Sequence, residues 1–455
     1  MSERISTGAG RLDEVVGGGL PAAGINLIIG PPGSGKTMLA QQYMFHNATE
    51  NKPGVFLSTV SEPLEKILRY GQALAFFDAA AVGSRIFYDD IGGVVGSDGL
   101  AGVLDRLKSI VRERKPGVLV IDSFKALSSY ANSDAEFRRF LYDLAGMLSA
   151  FPVTTLWVGE YREDDATINP EFAVADSILL LNTSDVQQRT VRSLKVLKLR
   201  GSASLSGRHA YRLSPAGIEV FPRLADIGGH ADYDLGDQRM SSGIGALDSM
   251  LADGYWPGAS TLVAGPTGIG KTLMGLHFAF HGARRGEPAV IATLQEDPSQ
   301  LERIVRGFGW SLANDNVHVL YQSPIDLYVD EWVYELLDMV EHTGARRVIV
   351  DSLGDLQAAS PDLSRFREYA YSLLQRCSRR AVSLLMTYEL PELFGATKLS
   401  EVGASHLADN VIMLQYRQAG LELKRCVTVL KTRASSHDPT VRDFEITPEG
   451  IHIVS

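Results

Sequence analysis

The sequence predicts an α/β chain made of two tandem copies of one domain, each a mostly parallel twisted sheet flanked by helices. Three observations carry that prediction. A phosphate-loop pattern, G-x-x-x-x-G-K-[ST], occurs twice, as GPPGSGKT at Gly30–Thr37 and GPTGIGKT at Gly265–Thr272. Each copy follows an apolar strand-like run (INLII, STLVA) and precedes a helix-like run (MLAQQYMF, LMGLHFAF). In both halves short apolar runs then alternate with amphipathic stretches, as a parallel sheet with crossover helices requires.

The repeat reaches well beyond the loops. ISTGAGRLDEVVGGGLPAAGINLIIGPPGSGKT aligns without a gap to MSSGIGALDSMLADGYWPGASTLVAGPTGIGKT, and Pro63 and Pro298 keep the offset of Lys36 and Lys271. VLVIDS (Val118–Ser123) matches VIVDS (Val348–Ser352), and LKLRGSAS…YRLSPAGIEVF matches LKTRASSH…FEITPEGIHIV. Self-similarity on this scale means two homologous domains, expected at 1–223 and 239–455. The linker is expected at 224–238, where Gly and Asp accumulate without apolar periodicity.

In chain order, the first copy offers strands at INLII, VFLS, VLVID, TTLWVG and SILLL, with a last hairpin around SLKVLKLR. The second offers TLVA, VIAT, VIVD, SLLMT, VIMLQ and CVTVLK. Each loop then has a chemical reading. Its backbone N–H groups turn inward around a β-phosphate, and glycine allows the close approach. Gly33, Ser34, Gly35, Lys36 and Thr37 form one candidate ATP cradle, and Gly268, Ile269, Gly270, Lys271 and Thr272 the other. Lys36 and Lys271 are placed to reach the β/γ-phosphates, and Thr37 and Thr272 to offer a hydroxyl to Mg²⁺. Asp122 and Asp351 end strongly apolar strands, where a carboxylate can hold a Mg²⁺-bound water. ATP and Mg²⁺ are therefore the expected ligands.

Composition bounds the rest. At 455 residues, 45% hydrophobic and 22% charged, the chain is globular and too long for one ordinary core. It shows no apolar run of membrane-spanning length and no signal-peptide core at its start, so a cytoplasmic protein is expected. Two cysteines, Cys377 and Cys426, support neither a disulfide framework nor a cysteine zinc site. The net charge of −10 argues against a dedicated nucleic-acid binder. The basic runs RERK and QRCSRR read as solvated helix faces. His277 and His281 stand at i, i+4, but no Glu follows His277 as a zinc-protease motif needs, and both are expected to face the sheet or an adjacent helix.

The double domain, the S-[ST]-G-x-x-x-LD opening, the K-x-R near each domain end and the GIEVFPRL stretch resemble the KaiC family, tandem RecA-like P-loop NTPases. The resemblance covers Ile5 to Ser455. It implies a homohexameric double ring with ATP between subunits and an unknown regulatory protein partner. It also implies that Lys198, Arg200, Lys431 and Arg433 contact the phosphates of a neighbouring subunit's ATP; a solvent-facing basic strand is the alternative.

Departures from the family pattern sharpen these expectations. The family places a Glu-Glu pair after the second strand to orient the attacking water. Gln295 and Glu296 occupy those positions in the second copy, whereas Val60 and Ser61 occupy them in the first, with Glu62 one place late. The first site is expected to bind ATP and turn it over slowly, the second to be the engine. Where clock members carry adjacent Ser and Thr phosphoacceptors, this chain has Ser405 and His406. Ser405 is a candidate phosphoacceptor of an autokinase, or an ordinary turn serine. The chain ends at Ser455, so regulation through a longer C-terminal tail is not expected. Two rival readings stand beside the family one: a RadA- or DnaB-like nucleic-acid-dependent ATPase, and a nucleotide-dependent scaffold with negligible turnover.

Overall fold

The computed structural model describes residues 3–59, 63–167, 169–186, 189–224, 238–360, 362–391, 408–433 and 435–454. The chain divides into two compact units, Met1–Asp226 and Ile227–Ser455. Most of the expected linker lies outside the described residues.

The apolar runs form one sheet in each unit. In the first, nine strands lie in the order Gly217–Phe221, His209–Ser214, Arg189–Leu199, Ser177–Val186, Ile25–Ile29, Thr154–Gly159, Val118–Asp122, Gly54–Ser58 and Ile86–Asp90. Pairings from Ser177–Val186 through Ile86–Asp90 are parallel, and the C-terminal hairpins pair antiparallel. The second unit repeats this topology strand for strand, from Val317–Tyr321 at one edge to Gly450–Ile453 at the other. Its phosphate-loop strand is Ser260–Gly265, flanked by Ser383–Glu389 and Asn410–Ala419. Central strands buried on both faces read as continuous apolar runs. The edge strands Ile86–Asp90 and Val317–Tyr321, exposed toward their ends, are not among the strands expected from sequence, nor are the closing hairpins His209–Ser214 with Gly217–Phe221 and Arg442–Thr447 with Gly450–Ile453.

Apolar side chains from both faces make the core. In the first unit one face carries Leu27, Leu119, Trp157 and Phe140, and the other Ile28, Val120, Leu156 and Tyr43. This alternation is the pleat of the strands expressed as two packing layers. Phe124 stacks on Trp157 with centroids 4.0 Å apart, fixing the segment that follows Asp122. The helix after each loop, Lys36–Asn47 and Lys271–Ala283, is buried on most sides, because it is wedged between sheet and C-terminal hairpin.

The opening motif is a structural clasp. Asp13 accepts from the Thr7 N–H and hydroxyl at 2.7 Å and from Ser6 Oγ at 2.6 Å. Asp248 does the same for the Ser242 N–H and Ser241 Oγ. The arm is then tied to the loop helix and to the last hairpin. Gln42 donates to the Gly8 carbonyl and accepts from the Ile218 N–H, both at 2.8 Å. At the matching position His277 Nε2 accepts from the Ile451 N–H at 2.9 Å, while its ring bonds to the Gly243 backbone and meets Trp310 edge-on. His277 therefore faces the hairpin and the Trp310 side chain.

Burial, with nearby Arg284, lowers the His277 pKa from 6.5 to about 4. As pH falls the unfolded chain takes up this proton first, so the stability held by the neutral ring is full above about pH 6.5 and lost toward about pH 4. His277→Gln, which reproduces the Gln42 arrangement, is expected to fold and to reduce the loss of second-unit stability between pH 7 and pH 5 by up to about 2 kcal/mol. Denaturant unfolding of parent and variant at both pH values checks this; equal losses would refute it.

Candidate nucleotide-binding sites

Both loops sit at the carboxyl end of their parallel strands, the side on which open α/β sheets bind ligands. The loop glycines do separate jobs. Gly35 and Gly270, at φ +89° and +115°, hand the chain over to the helix, and a Cβ on Gly35 would stand 2.7 Å from Leu213. Gly33, at φ +74°, has no protein atom within 4 Å of where a Cβ would project. It lines a cleft of about 730 Å³ with Lys36, Thr37, Asp122, Lys125 and Glu160. That volume lies within the roughly 300–1,000 Å³ usual for small-molecule sites. A bare backbone facing a cleft of this size fits a phosphate chain.

At each loop the structure brings the lysine, the threonine and the strand-tip aspartate together. Lys36 Nζ donates to the Pro31 carbonyl at 2.8 Å and Lys271 Nζ to that of Pro266 at 2.9 Å. Burial lowers both lysine pKa values, opposed by Glu160 and Asp122 in the first site and by Glu389 and Asp351 in the second. Thr37 Oγ1 donates to Asp122 Oδ2 at 2.6 Å, and Thr272 Oγ1 to Asp351 Oδ2 at 2.6 Å. Hydroxyl and carboxylate oxygens brought together in this way are the hard donors that Mg²⁺ takes. Thr387 adds a second hydroxyl to the buried Asp351. The Asp122–Ser123 and Asp351–Ser352 peptides are cis in both units. Ser34 and Ile269 are buried under their loops.

Beyond this shared frame the sites differ. Glu296 lies beside Asp351, and burial followed by that neighbouring charge raises its pKa. Gln295 is exposed, its amide donating to Asp355 at 3.0 Å. The strand ends at Thr293, and in the bend that follows Glu296 is the member of this pair with Asp351 as a charged neighbour, while Gln295 reaches Asp355. The first-site counterparts Val60, Ser61 and Glu62 lie outside the described residues, as do Ser405 and His406.

The K-x-R side chains sit at the opposite end of the sheet from their own loop. Lys198 pairs in register with Ile178, near the start of its strand, whereas the loop follows Ile29 at the strand's end. Lys198 Nζ donates to the Phe172 and Ala173 carbonyls at 3.0 Å, and Lys431 Nζ to that of Ala408 at 2.7 Å. Arg200 pairs with Asp176 at 3.2 Å and Arg433 with Asp409 at 3.5 Å.

Those aspartates were not singled out from sequence. Asp176 accepts the Ile25 N–H and Asp409 the Ser260 N–H, each at 2.9 Å, so each anchors the first residue of a phosphate-loop strand. The available signal was the Asp before SILLL and before NVIML at equivalent positions.

The model of the KaiC ATPase family matches residues 5–225 and again 240–455. The chain belongs to the KaiC family of ATPases. It is 29% identical to the circadian clock protein KaiC3 of Synechocystis sp., over 99% of this chain and 92% of that protein. It is 27% identical to the circadian clock oscillator protein KaiC of Rippkaea orientalis, over 96% of this chain and 86% of the relative. Among the described residues no helix is long and apolar enough to cross a membrane.

The floor of the first loop has a brace that sequence reasoning also passed over. Tyr211 Oη donates to the Ser34 carbonyl at 2.6 Å from the hairpin strand, and the matching residue in the second copy is Phe444. Tyr211→Phe removes one buried hydrogen bond and is expected to weaken ATP binding at the first loop about fivefold, leaving the second unchanged. Equilibrium nucleotide binding to the variant tests this, and unaltered first-loop affinity would refute it.

Proposed function

We propose that this chain is a cytoplasmic ATP-binding and ATP-hydrolysing regulatory protein that assembles as a homohexameric double ring. Its slow turnover would be read by a protein partner. The observation that carries this reading is the same loop lysine, Thr–Asp junction and glycine cradle built twice in one chain, with Glu296 added beside Asp351 in the second. The domains are 1–223 and 239–455, joined through 224–238.

Division of labour follows from the residues. Glu296 is the carboxylate suited to orient an attacking water, since its environment favours accepting a proton. Gln295 can align a water but is a poor base. With Val60 and Ser61 at the corresponding first-site positions, the first ring holds ATP mainly as an assembly ligand. This is where the scaffold reading has specific support. Thr37 with Asp122, and Thr272 with Asp351, would hold Mg²⁺, which neutralises phosphate charge when bound.

Lys198, Arg200, Lys431 and Arg433 serve a neighbouring subunit's nucleotide. Their placement at the far end of the sheet from their own loop supports a role in trans. Such contacts join unlike faces of adjacent subunits, the kind of interface that closes into a ring. Ser405 is the candidate phosphoacceptor, although Gln295 at the base position weighs against an autokinase.

Purified protein with Mg²⁺ and γ-labelled ATP, with free phosphate and protein-bound label followed together, tests the whole reading. Lys271→Ala is expected to abolish most phosphate release, about 100-fold or more, while Lys36→Ala leaves most turnover but dissociates the assembly. Label mapping to Ser405 and lost in Ser405→Ala would establish the autokinase. Turnover residing at the first loop would overturn the assignment of the engine.

A further inference from the structure

The two sites have diverged in charge at positions that no loop motif covers. The residues following Asp122 are Ser123, Phe124, Lys125 and Ala126, and those following Asp351 are Ser352, Leu353, Gly354 and Asp355. The first site has therefore gained a cation where the second has a glycine. It also has Ala126 where the second has a carboxylate.

Lys125 stands at the mouth of the first loop. It lines the cleft shared with Gly33, Lys36 and Thr37, and also a second cleft bounded by Pro31, Pro32 and Arg162. Its Nζ donates to the Glu160 carbonyl at 2.6 Å. Glu160 follows Gly159, which pairs with Ile29, the residue before the loop begins. Lys36 donates to Pro31 at the same entry, with the Glu160 carboxylate in electrostatic reach. Two ammonium groups thus converge on one edge of the loop. An ammonium has three donors, and the Glu160 carbonyl takes one.

The platform under Lys125 is rigid. Its Nζ lies 4.7 Å from the centroid of the Tyr161 ring, whose hydroxyl is held by the buried Glu171. The remaining ion partner, Asp165 at 3.9 Å, is a surface contact that contributes little. A half-exposed cation, preorganised over a fixed ring beside the loop entry, is arranged for an anion arriving through the cleft.

We propose that Lys125 is a second phosphate ligand of the first site, supplied by the same chain, which contacts the terminal phosphate of a bound nucleoside triphosphate. It makes this site select triphosphate over diphosphate. The inference rests on the reading of the first loop as an ATP site. It explains how a site with Val60 and Ser61 in place of the glutamate pair holds ATP: charge there grips the terminal phosphate instead of activating water.

The test uses the full chain carrying Lys271→Ala, so that binding reports the first loop, with a slowly hydrolysed ATP analogue and ADP as probes. Lys125→Ala and Lys125→Met are compared, the methionine keeping the stem packed on Tyr161 without the charge. Both are expected to weaken the triphosphate about tenfold or more while leaving ADP within about twofold. Equal losses for the two nucleotides, unchanged triphosphate affinity, or a Lys125→Met protein that binds like its parent would overturn the inference. A Lys271→Ala parent that binds neither nucleotide would overturn the ATP-site reading itself.

Discussion

Each unit depends on one contact across its sheet: the threonine hydroxyl that opens the loop helix, donated to an aspartate at the tip of a strand two places away. The intervening strand, Thr154–Gly159 or Ser383–Glu389, sets the separation, and the buried apolar faces set the heights of the strand ends. The carboxylate is then held where loop, helix and strand tip meet. Burial of the loop lysine, which lowers its pKa, belongs to the same geometry, because the core that positions the aspartate also desolvates the ammonium.

A second constraint works from below. Asp176 and Asp409 bind the first N–H of each phosphate-loop strand and pair with Arg200 and Arg433. The strand is thus pinned at both ends. The arginine read as serving a neighbour is anchored at the base of the strand whose upper end is the chain's own loop. One carboxylate thus contacts both the strand and the arginine.

Duplication makes the physical equivalences visible. Gln42 and His277 do the same work, accepting from the hairpin and bonding to the arm, with different acid sensitivity. Tyr211 braces the first loop where the second has Phe444. Lys125 corresponds in the alignment of the two copies to Gly354, and Ala126 to Asp355, which holds Gln295. The frame is shared, while charge around it is distributed differently: more cationic at the first loop, richer in carboxylates at the second.

The fold class, the duplication, both loops and both strand-tip aspartates were legible in the chain, because each depends on local pattern. Glycines are required where φ is positive, apolar runs where strands are buried, and a lysine and threonine at a set distance from the turn. The edge strands Ile86–Asp90 and Val317–Tyr321 were not legible, since half-buried strands lack a continuous apolar run. Nor were Asp176, Asp409, Tyr211 and Lys125, whose partners lie far away in the chain or across the sheet. The sequence by itself determined which chemical groups each site has. Only the tertiary structure decided which of them meet, turning Glu296 toward Asp351 and Gln295 outward, and setting Lys125 at the loop entry. The reason is that strand order and register, which place distant residues side by side, arise from packing of the whole sheet and are written in no single segment.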